Sequence, residues 1–174
     1  MQKFTMVQEL IDLRTCIEEQ RYDQALMIID ELEGMGKQAI LRNIQSYLLR
    51  LLIHLIKNQI EERLTNSWAA SIRGSIREIQ KLNLKDNKKS YYIQQDEWQT
   101  WLEDSLEDAI RDASVEVMNG TYTPFKLSEI VERDSILMRA QILLDLTYRY
   151  PAKELASQVD QTLIELPGGN AWKD

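Results

Sequence analysis

Apolar residues recur at three- and four-residue intervals along most of the chain and never alternate over the length of a strand. The spacing predicts a first helix whose inner face is Met6, Leu10, Leu13 and Ile17, with Val7 and Ile11 beside it. Thr5 followed by Gln8 has the form of a capping box near its start. A shorter helix follows over 23–33, with Leu26, Ile29 and Leu32 facing inward, and Gly34 and Gly36 punctuate its end. The next helix, 37–64, is long and carries Leu41, Ile44, Leu48, Leu51, Leu52 and Leu55 on one face. Leu49, Ile53, Ile56 and Ile60 widen that apolar arc past about 120°. Only Asn43, Ser46, Arg50, His54, Lys57 and Glu61 remain as a polar strip, the pattern of a central, buried helix.

Asn66 or Ser67 can cap a helix over 68–82, where Trp68, Ile72, Ile76, Ile79 and Leu82 share a face. The polar, basic loop NLKDNKKS covers 83–90. A helix over 96–118 has the inner stripe Trp98, Leu102, Leu106, Ala109, Ala113 and Val117, with Asn119-Gly120 as its stop. One more helix is predicted over 128–148, with Leu127, Ile130, Leu137, Leu144 and Tyr148 as core positions. Pro151 opens a last helix carrying Leu155, Val159, Leu163 and Leu166. Pro167-Gly168-Gly169 ends it and leaves 167–174 as a flexible tail. The expected fold is therefore all-α: one domain over 1–166, a bundle of about six to seven helices around the long helix at 37–64.

Composition fits this reading. The 174 residues are 44% hydrophobic and 28% charged, an ordinary globular balance. Folding at this length buries roughly 70% of the unfolded chain's surface, so a metal or disulfide staple is not needed. The single cysteine, Cys16, excludes an intramolecular disulfide and a Cys-rich zinc site. The N-terminal MQKFTMVQELIDL lacks a signal-peptide pattern, and no apolar run approaches the 20 or so residues of a membrane span. A cytosolic location is expected. The net charge of −7 is unevenly spread: residues 57–93 carry 8 basic and 4 acidic groups, residues 94–174 carry 7 basic and 16 acidic. Such polarity steers a partner or is compensated inside the fold.

The block DELEGMGKQAILRNIQSYLLRLLIHLIKNQIEERLTNSWAASIRGSIREIQKL, 30–82, contains His54, Leu55 and Lys57 as HLxK. Ser67, Trp68, Ile72, Arg73, Arg77, Glu78 and Ile79 follow as SWxxxIRxxxREI. With the acidic helix end before Met35-Gly36, these residues resemble domain-of-unknown-function family 29, a set of bacterial all-helical proteins. The resemblance covers about 7–132 and leaves 133–166 as a helical extension. It implies an all-α fold and no activity, since the family has no assigned biochemistry. The chain departs from the family pattern at Asn58, where an aromatic is usual, at Ala69, where a basic residue is common, and at LKDNKKS, which replaces a Ser-Pro turn.

Four constellations have chemical potential. His54, the only histidine, is a base or ligand only if it has partners, and Glu61, two turns on, is the nearest in-chain candidate. Neither HExxH nor Glu-x-x-His occurs, so a structural, hydrogen-bonded histidine is the simpler expectation. Arg73, Arg77 and Lys81 form a basic stripe continued by Lys85, Lys88 and Lys89, suited to phosphates or to a solvated face; the overall charge argues against nucleic acid. The acidic run 103–116 holds Glu103, Asp104, Glu107, Asp108, Asp112 and Glu116. It either faces the basic stripe across a helix seam, or lies in solvent, or holds Mg²⁺. In the last case Glu103-Asp104-x-x-Glu107 resembles half the motif of all-α nucleotide pyrophosphohydrolases, but Glu129-x-x-Glu132 lacks the aspartate of the other half. Trp68, Trp98, Trp101 and the Tyr91-Tyr92 pair are core residues or, if exposed, an interface. The expected function is a non-enzymatic interaction module or oligomer subunit with a protein partner or a second copy. No cofactor and no membrane are expected. The alternatives are the Mg²⁺-dependent hydrolase and weak nucleic-acid binding through Arg73, Arg77 and Lys81.

Overall fold

The structure, a computed structural model, describes residues 2–174, with side chains from Met6 onward. The chain is all-α. Its helices are α1 (Gln2–Glu18), α2 (Tyr22–Glu61), α3 (Asn66–Asn83), α4 (Trp98–Ser114), α5 (Pro124–Ile130), α6 (Arg133–Arg149), α7 (Ala152–Ile164) and α8 (Gly169–Lys173). Two 3-10 turns, Gln95–Glu97 and Val117–Gly120, and one isolated bridge, Leu84 with Tyr91, complete the regular structure. By compactness the chain divides into two units, Met1–Arg42 and Asn43–Asp174, with the division inside α2.

The first unit is a helical hairpin. Gln20 takes a left-handed backbone at φ 61°, and the Arg21 N–H donates to the Cys16 carbonyl at 2.8 Å, which turns the chain. Cys16 then lies beside Gln24 and Glu9 beside Glu31, so α1 and the start of α2 run antiparallel. The capping box rests on Thr5, whose side chain lies outside the described residues. Two helices were expected over 23–33 and 37–64, yet α2 runs through Gly34 and Gly36 unbroken. Each glycine costs a helix about 1 kcal/mol relative to alanine, too little to stop it without a proline or a left-handed residue.

The second unit holds the large core. Ile44, Leu48, Leu51, Leu52, Leu55 and Ile56 on α2 are fully buried, as the wide apolar arc predicts. The inner faces of α3 and α4 are buried as read, with Trp68, Ile72, Ile76 and Ile79 on one and Trp98, Leu102, Leu106 and Ala109 on the other. Helix α3 packs on α6 and α7, and α4 on α5 and α6. Thr65, rather than Asn66 or Ser67, caps α3, its hydroxyl accepting from the Trp68 N–H at 3.0 Å. Helix α4 ends at Ser114, short of the expected 118, and Met118 and Asn119 turn the chain with φ of 49° and 58°.

The helix predicted over 128–148 is two helices. Thr123 and Pro124 start α5, and the break falls at Val131 and Glu132. There the Gln59 amide holds the Glu132 backbone on both sides, accepting from its N–H at 3.0 Å and donating to its carbonyl at 3.2 Å. A side chain 73 residues away thus supplies the acceptor that the Glu132 N–H loses at the break, while the Glu132 carbonyl also keeps its helical bond from the Ile136 N–H. The expected flexible tail at 167–174 contains α8 instead. Gly168, at φ 72°, lies so close to the chain at 62–64 that an added Cβ would sit 2.7 Å from the Arg63 Cα, and Gly169 is buried against Ile164. Those glycines serve close approach, not looseness.

A polar knot ties α3, α4 and α6 together. The Asn83 amide donates to the Ile93 carbonyl at 2.9 Å and to the Tyr148 hydroxyl at 3.1 Å, while its oxygen accepts from the Ile93 N–H at 2.7 Å. Trp98 Nε1 also donates to Tyr148 at 2.6 Å, and the hydroxyl donates onward to the Ile93 carbonyl at 2.7 Å. Burial pushes the Tyr148 phenol up to about 12, so it remains a donor over the whole physiological range. Substituting Asn83→Ala removes three hydrogen bonds and leaves the buried Ile93 N–H without its acceptor, and a loss of about 2 to 3 kcal/mol is expected in urea unfolding. A loss below about 0.5 kcal/mol would mean the knot does not hold these helices.

Candidate functional site

The residues that carry the family resemblance converge at the end of α2. Lys57 lies one turn beyond His54, and its side chain is only 11% exposed. Its ammonium reaches the Glu116 carboxylate at 3.0 Å and stands 4.9 Å from the centre of the Trp68 ring. Arg63 approaches the same ring, its guanidinium carbon 4.6 Å from the centroid. A lysine ammonium taken out of water needs an opposite charge or an aromatic face, and here it has both. Arg63 in turn pairs with Glu61 at 2.9 Å, and the other Glu61 oxygen accepts from the Met118 N–H at 3.3 Å. Glu61 therefore anchors the left-handed turn that follows Glu116, rather than serving as the partner expected for His54.

His54 sits among these charges without a hydrogen bond to its buried Nδ1. Burial first, and then the neighbouring Lys57 ammonium, pull its imidazole down to about 4; Glu116 opposes the shift and Arg50 adds to it. His54 is thus neutral at physiological pH. Asn58, next along α2, is fully buried and donates to the Arg63 carbonyl at 3.0 Å and to the Pro167 carbonyl at 2.8 Å. Asn58 thus holds the start of the C-terminal segment.

The other candidates are dispersed. The acidic run does not meet the basic stripe across a seam: Arg73 pairs with Asp160 on α7 at 2.7 Å, Lys81 with Glu78, and Glu107 with Arg133. Asp108 pairs loosely with Arg111 on its own helix, and Glu103, Asp104 and Asp112 are exposed. Among the described residues no group of three or more His, Cys, Asp or Glu side chains could hold a metal ion. Arg77 is exposed, Trp101 is half-buried, and Trp98 is fully buried in the core, so an exposed tryptophan pair is absent at that helix start. Ser67 is exposed and Ile72 is core. Sequence reasoning missed Glu116 as the partner of Lys57, because the predicted helix ran through it in register with Asp104, Asp108 and Asp112. It also missed Asn58 and Arg63; the polar Asn58 inside an apolar arc was the available signal.

The fold and this cluster define a class: an all-helical protein whose long second helix carries HLxK opposite the tryptophan of SW. The sequence model described as "Domain of unknown function DUF29" matches residues 14–136, and the chain belongs to that family. No curated protein and no solved structure matches it. No helix among the described residues is long and apolar enough to cross a membrane.

The low value of His54 sets a pH dependence. In the unfolded chain an imidazole protonates near 6.5, whereas the folded one stays neutral down to about 4. The unfolded state therefore binds more protons in that window. Stability is expected to be full above about pH 6.5 and to fall as pH drops toward about 4. This share of the fall should vanish in His54→Phe. Urea unfolding of both chains across that window checks it; identical pH profiles would contradict the assignment.

Proposed function

We propose that the protein is a subunit of a homo-oligomer, associating through its N-terminal hairpin. One observation carries the reading. Met6, Val7, Leu10, Ile11 and Ile17 on α1, with Tyr22, Leu26 and Met27 on α2, stand between 42% and 64% exposed. On α1 the stripe Met6, Leu10, Ile17 is the face that the sequence predicts as inner. A two-helix hairpin can cover only one strip of each helix, so the remaining apolar positions have no cover of their own.

Eight large side chains about half exposed leave on the order of 800 Å² of residue surface, what one partner brings to a standard interface of about 1,600 Å². A second copy is the simplest occupant, since an isologous pair buries the same stripe twice and makes a four-helix bundle of two hairpins. The basic stripe and the tryptophans are not needed: Arg73 is engaged by Asp160, and Trp98 is core.

Light scattering on a sizing column should give twice the 20.4 kDa chain mass at micromolar concentration. The double variant Leu10→Glu, Leu26→Glu should elute as a folded monomer. A parent chain that is monomeric, or a variant that remains dimeric, would overturn the assignment.

A further inference from the structure

A cleft lies at the far end of α3. It has a volume of about 630 Å³ and lies between the 84–91 loop and the junction of α6 with α7. Lys81, Lys85, Lys88 and Arg149 line it, with Tyr91 and Tyr148 as its aromatic wall, and Asp86 is the one lining acid. Four cations against one carboxylate in a chain of net charge −7 is a marked local reversal. Lys81 pairs with the half-buried Glu78 at 3.3 Å, and Lys85 rests on the Tyr92 ring at 5.4 Å. With Lys81 paired, Lys85, Lys88 and Arg149 still outnumber Asp86 and keep the cleft positive.

The cleft is also built. The Gln80 amide donates to the carbonyls of Thr147 and Tyr150, at 2.9 and 2.8 Å, and so fixes α3 to the end of α6. Tyr148 is fixed by the polar knot, and its ring holds Tyr91 edge-on at 4.7 Å. The lysine loop is shaped by its own bonds: Lys85 N–H donates to the Ser90 carbonyl, Lys88 N–H to the Lys85 carbonyl, and the Asn87 side chain accepts from the N–H groups of Lys89 and Ser90. The 84–91 loop thus delivers Lys85 and Lys88 to one place.

The geometry points to a binding site for a small phosphorylated aromatic ligand of the nucleoside diphosphate class. The phosphates meet the lysines and Arg149, and the base lies against the tyrosine wall. The volume falls in the usual range of small-ligand sites, roughly 300–1,000 Å³. Several convergent cations suit a group with two or more negative charges, and arginine adds a forked donor for phosphate oxygens. Nucleic acid is disfavoured because the positive surface continues along α3 only to the exposed Arg77: Arg73, the next turn, is committed to Asp160, and residues 94–174 are strongly acidic.

Calorimetry with ADP, inorganic pyrophosphate, adenosine and a short single-stranded oligonucleotide tests this on the full chain. ADP should bind more tightly than pyrophosphate or adenosine. The double variant Lys85→Ala, Lys88→Ala should weaken ADP by at least about tenfold, the effect of losing one charge-assisted hydrogen bond. Tyr91→Leu should weaken ADP and leave pyrophosphate unchanged. Arg77→Ala, exposed on α3 outside the cleft, should change nothing. Circular dichroism verifies that each variant folds, and the single variant Lys88→Glu replaces the double one if that fails to fold. No saturable ADP binding, unaltered affinity in the lysine variants, an equal loss in Arg77→Ala, or tighter, steeply salt-dependent binding of the oligonucleotide would each overturn the assignment. None of these outcomes depends on the oligomeric state.

Discussion

A lysine ammonium withdrawn from water at the end of a nearly all-apolar helix constrains everything around it. Lys57 follows Ile56 and precedes Asn58, in a stretch where Leu51, Leu52 and Leu55 are fully buried. Its charge must be met, and Glu116 and Trp68 meet it from two different elements. To place Glu116 there, α4 has to stop at Ser114 and the chain has to turn through two left-handed residues, a conformation Glu61 stabilises by accepting from Met118. His54, one turn before the cation, is left neutral. The residues of HLxK and SW are therefore one physical unit: a cation, its aromatic face, and the histidine that must not become a second charge.

Much of the helical framework was legible because it follows from periodicity. The arc through Leu48, Leu52 and Leu55 and the stripe Ile72, Ile76, Ile79 can only be core, and they are. Two of the larger errors share a cause: a helix break or end there is decided by contacts distant in sequence. Gly34-x-Gly36 read as a stop, but nothing in the fold needed the chain to turn there. Nothing local marked Val131-Glu132 as a break, because the acceptor that the Glu132 N–H takes there belongs to Gln59. Gly168 and Gly169 read as a loose end, whereas they allow backbones to touch.

The candidate site was half legible for the same reason. His54, Lys57 and Trp68 were visible as a motif. Glu116 was visible only as one carboxylate among six, since assigning it to Lys57 required knowing that the helix had already ended. The basic residues divided differently from their spacing: Arg73 went to Asp160, while Lys81 joined Lys85, Lys88 and Arg149 across an α3–α6 junction that no local pattern encodes. The two units also differ in kind. Residues 43–174 have a large buried core of their own, whereas the hairpin keeps most of its large apolar side chains exposed. That contrast underlies the reading of the hairpin as a contact surface.

The most direct measurement is a double-mutant cycle between Lys57 and Glu116. Lys57→Met keeps the volume and removes the charge; Glu116→Gln keeps the shape and removes the counter-charge. If the buried cation organises this end of the fold, Glu116→Gln costs about 1 to 2 kcal/mol in the parent, a value moderated by the solvent access of Glu116, and close to nothing once Lys57 is methionine. Additive effects, with a coupling below about 0.3 kcal/mol, would show that the two residues do not act together and would contradict the account.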